Sequence, residues 1–127
     1  MFQNDRKLTE EDRKWNLMWD MWVQGEAESP YTELMEYDSE VNNGGHFQYF
    51  LNGSLGGDVT TQVELVLEIL PQPLHDNLKK AYDAFGTLED VYDLQNFKKF
   101  IEYDKVLYEN EGPLMDVLKQ YADSLSL

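Results

Sequence analysis

Glu40-Val41-Asn42-Asn43-Gly44-Gly45-His46-Phe47-Gln48-Tyr49-Phe50-Leu51-Asn52 is the stretch on which the fold turns. Its adjacent glycines permit positive φ and a sharp bend that no other residue pair would allow. Before it, Tyr31, Leu34, Met35 and Val41 recur at helical spacing; after it come Phe47 and Phe50. The pattern predicts a helix, a break at Asn43-Gly44-Gly45, and a short third helix running roughly from His46 to Leu51. Asn43 is expected to bond free backbone groups at the bend. Gln48 and Asn52, one turn apart, share a face and support a side-chain pair.

Helical periodicity extends outward from this break in both directions, and no segment alternates strictly enough for a half-buried strand. Upstream, a first helix is expected from Thr9, with Asp12 standing in for the capping-box glutamate. It sets Trp15, Met18, Trp19 and Trp22 on one face and ends near Gly25. Ser29-Pro30 reads as the N-cap and first position of helix two. Downstream, residues 52–57 read as a loop, and Asp58 as the cap of helix four. That helix carries Val59, Val63, Val66, Leu67 and Leu70 in one arc and ends at Pro71-Gln72-Pro73. Helix five stripes Leu74, Leu78, Ala81, Tyr82 and Phe85, with Gly86 as its C′ glycine. Thr87-Leu88-Glu89-Asp90 is a candidate short helix, and Asn96 opens a longer one bearing Phe97, Phe100, Ile101, Leu107 and Tyr108. Gly112-Pro113 separates a last helix with Leu114, Val117, Leu118, Tyr121 and Leu125. The expectation is an all-α, compact, single-domain bundle of about six or seven helices over residues 1–127.

With 42% hydrophobic and 13% aromatic residues in 127, the chain can bury a core, so its high charge does not imply disorder. Without cysteine there are no disulfides, thiolate zinc sites or cysteine nucleophiles. The N-terminus lacks the apolar core of a signal peptide, and no apolar run approaches the ~18 residues of a membrane span. A soluble cytoplasmic protein is expected. The formal net charge is −15, and from Trp15 to Leu78 there are eleven carboxylates and not one lysine or arginine. Such a surface attracts basic partners and repels nucleic acid and acidic headgroups. Direct DNA or RNA binding and membrane association are therefore excluded.

Within that half, Glu33, Glu36 and Glu40 fall within about 60° of one another at 100° per residue. Glu64 and Glu68 form a like-charge pair one turn apart on helix four, opposite its apolar arc. These five are the candidate partner-binding residues, read either as a row facing a basic groove or as a solvated, solubilising face. Asp38 and Asp104 each project from the centre of an apolar arc, which is costly for a carboxylate unless it is bonded or paired. One reading joins them with His46 and Gln48 in a metal or acid-base site. The favoured reading has each accept hydrogen bonds that fix helix packing. Trp15, Trp19 and Trp22, at i, i+4 and i+7, mark a buried seam or, if exposed, a homodimer interface. There is no P-loop, nucleophile elbow or HExxH spacing.

The stretch from Glu40 to Asn52 resembles the pattern E-V-N-N-G-G-x-x-Q-(F/Y)-F-x-N of a bacterial family of small acidic proteins named after a DNA-mimic protein. Glu40, Val41, Asn42, Asn43, Gly44, Gly45, Gln48, Tyr49, Phe50 and Asn52 match it. His46-Phe47 departs from it, because the family usually places its aromatic directly after the glycines. A weaker echo continues through helices four and five and at Asp104-Lys105-Val106-Leu107-Tyr108, so the resemblance covers about residues 31 to 125. It implies an all-helical fold and, for the name-giving role, carboxylates that imitate DNA phosphates. Asn42, Asn43, Gly44, Gly45, Gln48 and Asn52, with Asp38 and Asp104, are then expected to be structural. The combined reading is a binding module, not an enzyme, without cofactor or metal. Its partner is a basic protein, either a DNA-binding protein or a toxin that it neutralises; the enzyme-class rival centres on Asp38, Asp104 and His46.

Overall fold

The computed structural model describes residues 7–127, and among these every regular element is helical. The order is α1 Glu10–Val23, α2 Tyr31–Gly56, α3 Val59–Ile69, α4 Leu74–Gly86, a 3-10 helix Leu94–Phe100, α5 Ile101–Glu109 and α6 Glu111–Asp123. The part of the N-terminal reading that rests on Met1 to Arg6 lies outside the described residues. No helix among the described residues is long and apolar enough to cross a membrane.

The long helix α2 is the hub, packing against α3, α4, the 3-10 helix, α5 and α6. It contributes Leu34, Met35, Tyr37, Val41, Phe47, Tyr49 and Phe50 to one core cluster. Phe47 meets the rings of Phe85, Phe97 and Phe100, while Phe50 meets Tyr82, Phe85 and Phe100. Burying each such ring stabilises the fold by about 1.5–3 kcal/mol. Phe47 is thus a core residue despite its shifted place after the glycines.

Thr9 caps α1 as expected: its side chain accepts from the Asp12 amide, and Asp12 accepts from the Thr9 amide in return. The helix then lies along α6. Trp15, Trp19 and Trp22 form a seam of edge-to-face pairs, with centroids 6.3 and 5.4 Å apart, packed against the core. Lys14 Nζ donates to the Asp123 carbonyl and Lys119 Nζ to Glu11, which ties the two helices together.

Several boundaries differ from the sequence reading, each for a local reason. Ser29 is not the N-cap of α2: Pro30 occupies that place, and the Ser29 hydroxyl donates to Glu33 instead. The second part of α2 does not stop at Leu51 but continues to Gly56. There Gly53 allows α3 to approach, since a Cβ would lie 2.9 Å from Val59 Cγ2, and Gly57 with φ 149° makes the turn. Gly86 is the last residue of α4 rather than a left-handed C′ glycine; Thr87 caps the end, its hydroxyl donating to the Ala84 carbonyl. Residues 87–90 form no helix. Gly112 and Pro113 lie inside α6, in a first turn whose amides have no intrahelical acceptor and so tolerate proline. The arc expected around Asp104 is only partly buried. The 3-10 winding of residues 94–100 shifts the period, leaving Phe97, Ile101 and Tyr108 substantially exposed.

Candidate functional site

The glycine pair breaks α2 at one residue. Gly45 has φ 86° and ψ 173°, an extended conformation of left-handed sign that residues with a Cβ rarely adopt. A Cβ there would also lie 2.6 Å from Asp104 Oδ2. Gly44 serves a different need, because a Cβ on it would overlap the side-chain amide of Gln48. Asn43 is exposed and makes no side-chain hydrogen bond among the described residues, contrary to its expected role. Asn42 instead donates to the Asp38 carbonyl, to Asp38 Oδ1 and to Glu111 Oε1, while the Tyr108 hydroxyl donates to the Val41 carbonyl ahead of the break.

Beyond the break, the second part of α2 begins with free amides, and Asp104 reaches over from α5 to cap it. Its Oδ1 accepts from the His46 amide at 2.8 Å and from His46 Nδ1 at 2.6 Å. His46 Nε2 lies 2.7 Å from the Tyr37 hydroxyl. The tautomer that satisfies every partner puts the proton on Nδ1 and lets Nε2 accept from Tyr37. His46 is fully buried. The chain Tyr37–His46–Asp104 therefore joins the two parts of α2 to α5 by hydrogen bonds across the helix break.

Asp38 is likewise buried, but its neighbour is another acid. Its Oδ1 accepts from Asn42, whose amide also donates to Glu111 of α6, so one side chain holds the two carboxyls close together. Burial, with the Glu111 charge beside it, pushes Asp38 up to about 7. Asp38 and Asp104 have separate hydrogen-bond partners, although both raise the proton affinity of Tyr37, behind the larger effect of its burial and that of Tyr49. Among the described residues, no group of three or more His, Cys, Asp or Glu has the arrangement to hold a metal ion.

The five glutamates separate into two settings. Glu33, Glu36 and Glu40 are half-buried and line a groove of about 280 Å³ with Trp22, Tyr49 and Asn52. Gln62 of α3 closes its far side. Glu40 stands before the helix break, while Gln48 and Asn52 stand after it. These two do not bond to each other, as their spacing had suggested, but both donate to Glu40 Oε2 at 3.2 and 3.1 Å. The bend thus sets Glu40 and Tyr49 into one groove. Glu33 Oε2 accepts from Ser29, yet its Oε1 is buried without a partner. Burial, then the neighbouring Glu40 charge, raises the proton affinity of Glu36. Tyr49 is 2% exposed, and its hydroxyl has no hydrogen-bond partner. Burial chiefly, and then Glu36, Glu33 and Glu40, hold that hydroxyl protonated well above its ordinary range.

Glu64 and Glu68, by contrast, are exposed on α3 and lie outside this groove. The sequence reading therefore grouped five residues that the fold does not bring together. It also missed Trp22, Gln62 and Glu111 as neighbours of the acidic groups. Nothing in local spacing connects Asn42 with Glu111, 69 residues on. Tyr49 had a signal, its place in the glycine-turn stretch, but read only as an aromatic it said nothing of a free hydroxyl.

No curated protein and no solved structure matches this chain. A family model described as DMP19-like protein matches residues 26–125, which include both parts of α2, the groove residues other than Trp22, and Asp104. The chain belongs to the DMP19-like family.

Proposed function

We propose that this chain is a binding module whose acidic surface engages a basic protein, acting as a DNA mimic that occupies a DNA-binding protein. One observation carries the reading: no lysine ion pair among the described residues reaches a carboxylate between Trp15 and Leu78. Every lysine ion pair among the described residues uses Glu10, Glu11, Glu102 or Asp123, all outside that region. Glu33, Glu36, Glu40, Glu64 and Glu68 keep their charge available for a partner. Family membership supports the same reading, since the family takes its name from a DNA mimic. Proteins that bind DNA spend much of their contact on phosphates, through arginine and lysine. A carboxylate surface competes for those same side chains.

The test is affinity capture from the host lysate, with released partners identified and challenged with duplex DNA. Capture is expected at low salt and lost at high salt, as the Debye length falls from about 10 Å at 0.1 M to about 3 Å at 1 M. DNA should displace the partner. Reversing the exposed Glu64 and Glu68 to lysine changes the formal charge by two at each site, from −15 to −11, without touching the core. With Glu33, Glu36 and Glu40 also changed to glutamine, capture should fail. A partner retained through these changes, and indifferent to DNA, would rule the reading out.

A further inference from the structure

The geometry points to the groove on α2 as the seat of an arginine side chain from the basic partner, its guanidinium held by Glu33, Glu36 and Glu40, capped by the Tyr49 hydroxyl and walled by Trp22. The identity of that partner rests on the reading above; the chemistry of the groove does not.

The groove contains acceptors that lack donors. Glu36 makes no hydrogen bond or ion pair among the described residues, and Glu33 Oε1 is buried without one. Each carboxylate of the three only accepts, so a ligand must supply N–H groups. The Tyr49 hydroxyl is the independent sign of a ligand. It is almost completely buried, faces the three carboxylates that perturb it, and has no partner of its own. A core tyrosine normally finds a partner for its hydroxyl, and a buried polar atom left unmatched is costly.

A guanidinium fits this set better than other cations. Its five N–H donors form a rigid planar fork that serves several carboxylate oxygens at once, while a lysine ammonium is a single strongly hydrated point. It is also less costly to strip of water, which matters in a groove that already disfavours the charged form of Glu36. Trp22 is partly exposed and lines the groove, and tryptophan is the side chain that attracts a guanidinium most strongly. The space of about 280 Å³ equals on the order of nine water volumes at about 30 Å³ each, enough for the head group and its last methylenes. The absence of a metal-holding cluster among the described residues agrees with an organic cation.

The experiment titrates the full chain with N-acetyl-arginine methylamide and with its lysine counterpart, following Trp22 indole and Tyr49 amide resonances by NMR. A saturable shift confined to groove residues, tighter for arginine than for lysine, is expected. Tyr49→Phe keeps the buried ring and removes only a hydroxyl that has no partner, so its melting temperature should hold or rise. It should weaken the arginine probe by about tenfold, as should Glu36→Gln, corresponding to about 1.4 kcal/mol. Glu89→Gln, an equal charge change on an exposed loop, is expected to leave probe binding unaltered. Equal affinity for both probes, shifts spread over the whole acidic surface, or an unaffected Tyr49→Phe variant overturns the proposal. Partner capture separates the two readings. Salt-sensitive, DNA-competed capture that ignores Tyr49→Phe and Glu36→Gln removes the arginine seat and leaves the mimic. Arginine-selective groove binding without any DNA-competed partner does the reverse.

Discussion

Glu64 and Glu68 stand one turn apart on α3, both exposed. Glu33, Glu36 and Glu40 stand at similar spacing on α2, yet they are half-buried beside Trp22, Tyr49 and Gln62. The first row contributes a long-range field that salt screens and that the fold hardly notices. The second has oxygens fixed by Ser29, Gln48 and Asn52, and others with no donor at all. Charge of one sign is the same in both rows; hydration is not. A carboxylate in bulk water attracts anything basic, whereas one held in a groove selects by shape and donor geometry.

Removing the bend breaks this contrast most severely, because Glu40 and Tyr49 share the groove only across Gly45. Gly45→Val places a β-branched residue at positive φ and drives it into Asp104. It should destabilise by more than about 2 kcal/mol, read as a large drop in melting temperature, and should disorder the groove while leaving α3 helical. A variant that melts like wild type would show the bend to be ordinary. Next in size is Asp104→Leu, which strands the His46 amide and Nδ1–H and should cost about 2–3 kcal/mol. Asp104→Asn keeps an acceptor for the amide, so chemical denaturation should rank it clearly milder.

Asp38 extends the contrast to full burial, where the effect changes sign. Its pKa rises from the ordinary 3.8 to about 7 in the folded chain, so the native state holds the extra proton between those values. The stabilisation it gives is complete below about pH 4 and is lost as pH rises through about 7. Asp38→Asn cannot ionise beside Glu111 and still accepts from Asn42. It should melt several degrees above wild type at pH 8 and converge with it near pH 4; a constant offset across that window sinks the account of a raised Asp38. Smallest is the pair that compares the rows directly. Glu36→Gln should raise the melting temperature slightly at pH 7, because it removes a desolvated charge beside Glu40. Glu64→Gln should stay within about 0.5 kcal/mol, and a larger effect there than at Glu36 inverts the distinction drawn above.

Much of this architecture was readable from the sequence, and the rest was lost for identifiable reasons. Thr9 with Asp12, Asp58 ahead of Val59, and the tryptophan seam are local patterns, so their structures follow from near neighbours. Ser29 looked like a cap because its type is right for one, but Glu33 competes for its hydroxyl. The winding around Leu94–Phe100 departs from the α period, which misplaced Ile101 and Phe97. In the candidate site, spacing placed Glu33, Glu36 and Glu40 on one face but could not reveal that Trp22 and Gln62 would close over it. Nor could it distinguish that row from Glu64 and Glu68. That Asp104 would need hydrogen-bond donors was legible from its apolar neighbours; their source was not, because 58 residues separate it from His46.

That cap from α5 also sets an order on folding. A helix normally carries its own N-cap and can begin to form wherever its residues meet. The second part of α2 starts instead from amides whose acceptor lies far along the chain, so closing a long loop precedes its stability. Residues 46–50 and α5 should therefore open as one cooperative unit, with matched hydrogen-exchange rates that neither shares with the first turns of α1. The groove is assembled late, and only by a chain that has already brought Asp104 to the break.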